Sequence, residues 1–218
     1  YKIKIDPNSY DKDKIISDIK YNKNLSNTRC DEHQTLGGGH DTHHSYQDFD
    51  NEDFKNINYK KLETVYLEVF DKFFSEEIYT TDPSPDKKKK GFEYSFIIVN
   101  YSCMTAGQSM PLHSHIGSDF STIHYLNFDK KEHVPTCFYN PSCYTEFLQN
   151  LQPDLTKILS NKEENSYLWH YHHMPVEEDD MLIFPAPLKH EVFRQPPMKT
   201  KEPRIMISSN IQITGIYE

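Results

Sequence analysis

Two histidines stand two residues apart at His113 and His115, a third stands far along the chain at His190, and Arg204 opens the stretch Arg204-Ile205-Met206-Ile207-Ser208. Side chains alternate faces along a strand, so His113 and His115 point the same way. A third histidine on a distant strand closes a three-point facial site only in a fold that lays remote strands side by side. Such a site suits a divalent metal with positions left open for chemistry. An arginine on the next strand suits a carboxylate, held by two parallel charge-assisted hydrogen bonds.

The texture of the chain agrees with a strand-built core. Residues 92–103, 122–128, 136–139, 167–173, 181–184, 190–194 and 204–213 read as strands. Short strands with turn signals between them predict an antiparallel barrel or jelly roll. In 204–213, Arg204, Met206, Ser208 and Asn210 share one face, and Ile205, Ile207, Ser209 and Ile211 share the other. The run from Asp180 to His190 is a turn, an apolar strand and a corner shaped by Pro185 and Pro187. Those prolines stiffen the approach and fix where His190 points. Upstream, 2–5 alternates like a short strand and 10–20 reads as a short helix. Residues 59–78 are the clearest helix, with Leu62, Val65, Tyr66, Val69, Phe70 and Phe73 on one face. Residues 21–58 are polar and aperiodic and read as a long loop, and 142–165 reads as an insertion with a short helix at 144–151. The expectation is one domain over 1–218, mainly β (α+β). Its N-terminal helices and loop, 1–91, precede a jelly-roll core at 92–218.

Composition narrows the function classes. Hydrophobic residues are only 36%, but fifteen Tyr and thirteen Phe provide large rings to bury, so the chain is globular. A net charge of -9 argues against a general nucleic-acid binder, which would show a basic face. No run of about 18 apolar residues exists to span a membrane. Cys30, Cys103, Cys137 and Cys143 form no C-x-x-C pair, which reads as reduced thiols in a cytoplasmic setting. Frequent Lys, Asn, Ile and Tyr fit an AT-rich genome, such as that of a phage or virus; a homo-oligomer stays open.

The segments Pro111-Leu112-His113-Ser114-His115, Ile123-His124-Tyr125-Leu126-Asn127, Phe184-Pro185-Ala186-Pro187-Leu188-Lys189-His190 and Arg204-Ile205-Met206-Ile207-Ser208 resemble the Fe(II)/2-oxoglutarate-dependent oxygenases. The similarity is nearest to the prolyl-hydroxylase-like branch, which includes uncharacterised phage and bacterial members, and covers roughly 92–213. The resemblance implies a double-stranded β-helix, Fe(II), 2-oxoglutarate and O2. It implies a dioxygenase that hydroxylates a substrate with release of succinate and CO2. Residue by residue, His113 and His190 match metal ligands, and Arg204 matches the partner of the distal carboxylate of 2-oxoglutarate. Tyr125 and Ser208 match hydroxyl residues that assist it. The substrate is a protein side chain or a small molecule, the aromatic content suiting a peptidyl or amino-acid side chain. The 21–58 loop is placed to act as a lid over it.

One position departs from the family. The common pattern is His-x-Asp/Glu, whereas the third position here is His115. Either His115 ligates in place of the carboxylate or Asp119 supplies one from the loop. The spacing of Gly107, His113, His115 and Asp119 also resembles, more distantly, the first cupin motif, with Pro185 and His190 meeting part of the second. That leaves two alternatives: a cupin-like metal protein that needs no keto acid, or a non-catalytic barrel. Arg204 separates them from the oxygenase expectation, since a cupin does not require it.

Overall fold

The longest strand pairing in the molecule joins Gly91–Met104 (β3) to Arg204–Tyr217 (β10), antiparallel, and the rest of the fold is arranged around it. The structure, a computed structural model, describes residues 1–27, 43–44, 53–78, 91–141 and 171–217. On its other side β10 pairs with Phe120–Asn127 (β5), which pairs with Asp180–Pro185 (β8). Lys2–Lys4 (β1) adds to β8, and His43–His44 (β2) adds to β3. The six-stranded sheet therefore runs β1-β8-β5-β10-β3-β2. A second sheet runs β4-β9-β6-β7, from Met110–His113 (β4), His190–Val192 (β9), Cys137–Tyr139 (β6) and Tyr171–His173 (β7). Every recorded strand pair is antiparallel.

Two cores follow from the two faces of the large sheet. Lys12–Asn27 (α1) and Lys60–Glu76 (α2) cover its outer face. Leu62, Tyr66, Phe70 and Phe73 of α2 meet Ile205, Ile207 and Ile211 of β10 there. Between the sheets, Met206 packs with Met104, Ile123, Tyr125, Phe138, Leu182, Phe184 and Val192. The alternation expected for 204–213 is thus realised as two separate cores. It survives because the irregularities next to this stretch fall on the partners. Val99 of β3 and Leu126 of β5 are passed over in the register, while β10 runs unbroken from Arg204 to Ile213.

The expected loop at 21–58 is corrected at its start, because α1 continues to Asn27. The polar residues of that last stretch are inside. Asn22 is fully buried, and its side chain bonds both the N–H (2.8 Å) and C=O (3.0 Å) of Lys55. Lys23 is 5% exposed and donates to the Cys103 carbonyl (3.3 Å) and Gln108 Oε1 (3.3 Å). Here polarity serves burial through hydrogen bonds and does not mark a loop. Residues 28–42 and 45–52 of the expected lid, and the insertion at 142–165 with its expected helix, lie outside the described residues. The strand expected to carry both His113 and His115 is β4, and it ends at His113, so His115 lies in the loop that follows.

His124 sits under the helices on the outer face, fully buried, with Nδ1 2.9 Å from the Tyr66 hydroxyl. Burial pushes its pKa down to about 3. The unfolded chain, with an ordinary histidine near 6.5, then takes up the proton first. The contribution of neutral His124 is fully present above about pH 6.5 and is lost as pH falls toward 3. We expect the urea midpoint to drop steadily from pH 7 to pH 4, and His124→Gln to flatten that slope; equal slopes in both proteins would contradict the assignment.

Candidate metal centre

The three expected histidines converge. Their ligand atoms all lie within 4.8 Å of one another, the one such histidine, cysteine or carboxylate cluster among the described residues. Ring centroids are 4.2 Å apart for His113 and His190, 5.5 Å for His113 and His115, and 5.3 Å for His115 and His190.

The backbone builds this geometry in two pieces. His113 and His190 are directly opposite each other where β4 pairs with β9. The loop after His113 is then tied to the proline corner before His190. The His115 N–H donates to the Ala186 carbonyl (2.9 Å), and the Ala186 N–H donates to the Asp119 carbonyl (3.0 Å). Gly117 turns this loop at φ +88°, a conformation that a side chain would strain.

The imidazoles are prepared as ligands. Nδ1 of His113 contacts the Pro111 carbonyl and Nδ1 of His190 contacts the Leu188 carbonyl, each at 2.8 Å. A carbonyl can only accept, so each Nδ1 carries the proton and each Nε2 keeps a lone pair for a metal. Burial, helped by the neighbouring imidazoles, lowers the pKa of His190 to about 4. Burial and His113 also lower that of His115. Neutral rings are the form that binds metal.

Asp119 is placed elsewhere. Its Oδ2 accepts the Ile213 N–H at 2.8 Å, so its carboxylate secures β10, and it is not part of the histidine cluster. The donor set in the structure is therefore three imidazoles, which fits a divalent ion with open positions.

Arg204 lies in the same interior, 0% exposed, at the start of β10. Its Nη2 donates to Thr136 Oγ1 (3.2 Å), Nη1 lies 3.7 Å from Met104 Sδ, and Nε has no partner. The guanidinium sits over the Tyr125 ring, 5.5 Å from its centroid. Burial lowers its pKa to about 10, a shift that Tyr125 opposes. Among the described residues no carboxylate pairs with it. A buried unpaired cation costs several kcal/mol, which an anionic ligand would offset. Tyr125 is part of this group, its hydroxyl accepting the Thr136 N–H (3.1 Å). Ser208 is half-buried four residues along the strand, about 13 Å at 3.3 Å per residue, and is not among the contacts of Arg204.

Two residues escaped the sequence. Thr136 touches both Arg204 and Tyr125, yet nothing in its neighbourhood forms a pattern. His172 stands opposite Phe138, which stands opposite His190, so His113, His190, Phe138 and His172 form one rung across the small sheet. Only the register reveals that. We expect about one equivalent of Co(II) to bind, and His190→Ala to weaken it by at least about 100-fold, beyond the range for losing an outer-shell partner. Competition titration measures this, and unchanged affinity in His190→Ala would remove the centre.

A family model described as "Putative 2OG-Fe(II) oxygenase" matches residues 100–210, just over half of the chain. No curated protein matches. Among solved structures, a Pseudomonas putida prolyl-4-hydroxylase is 8% identical over 99% of this chain and 92% of that one, with TM-score 0.49. The viral collagen prolyl hydroxylase of Paramecium Bursaria Chlorella virus-1 is 11% identical over 97% and 95%, with TM-score 0.44. An oxidoreductase of the 2OG-Fe(II) oxygenase family from Burkholderia pseudomallei is 11% identical, with TM-score 0.44. That alignment covers 72% of this chain and 61% of that one, less than two thirds of the Burkholderia chain. The matched span 100–210 contains the three imidazoles, Tyr125, Thr136 and Arg204, and the chain belongs to the 2OG-Fe(II) oxygenase family.

Proposed function

We propose that this chain is an Fe(II)- and 2-oxoglutarate-dependent dioxygenase that hydroxylates a C–H bond of its substrate. The observation that carries this reading is Arg204, a buried guanidinium without a carboxylate partner among the described residues, in the same interior as three converging imidazoles. The eight strands β3 to β10, divided as β3, β5, β8 and β10 in one sheet and β4, β6, β7 and β9 in the other, support a double-stranded β-helix as the scaffold. One domain over 1–218 goes with this reading.

His113, His115 and His190 would hold the metal. When bound, Fe(II) and 2-oxoglutarate supply the oxidising power that places one atom of O2 in the substrate, with succinate and CO2 released. Arg204 neutralises the far carboxylate of 2-oxoglutarate and orients it. The Tyr125 oxygen already accepts from Thr136 N–H, so its own O–H is free to donate to that carboxylate. The Thr136 hydroxyl accepts from Arg204 and keeps its proton for the same use. Ile123, Phe138, Phe184 and Val192 line the space between the sheets and exclude water, which strengthens each of these interactions.

The rim beside the histidines carries Leu112, 47% exposed, and Ile116, 97% exposed. Such a rim suits an apolar portion of substrate, in keeping with a peptidyl or amino-acid side chain. Cys103 and Cys137 are free and buried, in keeping with a reducing, cytoplasmic setting.

Anaerobic titration with Fe(II) and then 2-oxoglutarate tests the reading. We expect the weak visible metal-to-ligand band in the native chain and its loss in Arg204→Ala, with the circular dichroism of both proteins unchanged. Metal binding with no band would favour the cupin-like alternative, and no metal binding would leave a non-catalytic barrel.

A further inference from the structure

Arg204 Nη2 donates to Thr136 Oγ1 at 3.2 Å, so these two residues must be held in step. They arrive from different parts of the chain. Thr136 ends the segment that follows β5, and Arg204 ends the segment that follows β9. Side chains tie the two segments together beside that contact. Asn127 Nδ2 donates to the Pro203 carbonyl at 2.7 Å, and Thr200 Oγ1 donates to Glu132 Oε2 at 2.6 Å. His133 Nε2 lies 3.1 Å from the Glu202 carbonyl. The Glu132 link is exposed to competing water, whereas His133 is only 5% exposed.

Both nitrogens of His133 are committed, and their partners fix the tautomer. The Asp129 N–H can only donate, and it points at Nδ1 from 3.0 Å, so Nδ1 is bare. The Glu202 carbonyl can only accept, so Nε2 carries the proton. Burial favours this neutral ring by lowering its pKa, against the pull of the Glu202 carbonyl. The backbone N–H of His133 donates to the Asp129 carbonyl at 2.8 Å, which closes the turn on itself. Val134 N–H then donates to Gln195 Oε1 at 3.0 Å. The imidazole packs against Phe128, with centroids 5.7 Å apart, and Phe128 packs edge-on to Tyr125 at 5.0 Å.

We propose that His133 is a positioning residue for the far carboxylate of the cosubstrate. By bridging the Asp129 turn to Glu202, it sets the Thr136 hydroxyl and the Arg204 guanidinium at the spacing that a carboxylate requires. This rests on the 2-oxoglutarate reading above. The side-chain contacts of Arg204 are Thr136, Met104 and the Tyr125 ring, so His133 acts through the two backbones. It stands three residues before Thr136, and its carbonyl partner stands two residues before Arg204. Pro135 and Pro203, each with a fixed φ, lie within those short spans and leave little slack to absorb an error.

Calorimetric titration with Co(II), and then of the Co(II)-loaded protein with 2-oxoglutarate, tests this. His133→Phe keeps a flat ring against Phe128 and loses both ring bonds. We expect it to bind Co(II) as the native chain does and 2-oxoglutarate roughly 10-fold more weakly, the scale of a buried polar group left unpaired. His133→Gln places an amide N–H where Nε2 stands and should recover most of the affinity. His133→Asn keeps only the acceptor for Asp129 and should not, so this pair carries the contrast even if His133→Phe fails to fold. In an Arg204→Ala background, loss of His133 should cost nothing further. Native 2-oxoglutarate affinity in His133→Asn, or equal affinities in the Gln and Asn variants, would overturn the proposal. So would an equal weakening of Co(II), the mark of general loosening, or a loss that persists undiminished in Arg204→Ala. An Arg204→Ala protein that binds 2-oxoglutarate as the native chain does would instead overturn the cosubstrate reading itself.

Discussion

The placement of β10 between β3 and β5 is the constraint on which the rest depends. A strand bonded on both edges cannot shift along its own axis without breaking two ladders at once. Its alternation is therefore fixed in space. One face is apolar and accepts the helices through Ile205, Ile207 and Ile211. The other presents Arg204, Met206 and Asn210 to the interior, where a polar side chain is tolerable only with a dedicated partner. The strand thus spends one face on stability and the other on chemistry.

The interior is divided along this strand. Arg204, Tyr125 and Thr136 form a cationic end bounded by Met104. His113, His115 and His190 form a separate cluster, their ligand atoms within 4.8 Å of one another. Ile123, Phe138, Leu182 and Met206 pack in the same interior. A ligand reaching both ends would need a carboxylate at one tip and metal-binding oxygens at the other, which is how 2-oxoglutarate is built. Arg204 is fully buried, so its charge favours an anionic partner.

Much of this was legible in the sequence where the periodicity was unbroken. The two faces of 204–213 and the helix over α2 follow from alternation and from the helical repeat, whereas the strand expected to carry both His113 and His115 ends at His113 and the loop after it delivers His115. What was not legible depended on long-range partners. Asn22 and Lys23 look like loop residues until Lys55 and Cys103 are placed beside them. Thr136 has no local signature, because its role is defined by Arg204, far along the chain. Asp119 is a plausible ligand by spacing alone, but its carboxylate is committed to the Ile213 amide. Spacing states what a residue can reach, while hydrogen-bond accounting states what it already holds.

The uninterrupted run of β10 has a consequence for how such a chain can diverge. Arg204 and Asn210 are six positions apart, an even number, and therefore face the same way. Single-residue gains or losses between them would turn one of the pair outward and leave the other in place. The protein would keep its sheets and much of its oily packing, yet Arg204 and Asn210 would face opposite sides of the sheet. Substitutions along this segment can be graded in effect, whereas insertions and deletions act as a parity error. Drift in length is expected instead beside β10, where Val99 and Leu126 already absorb an extra residue without disturbing it.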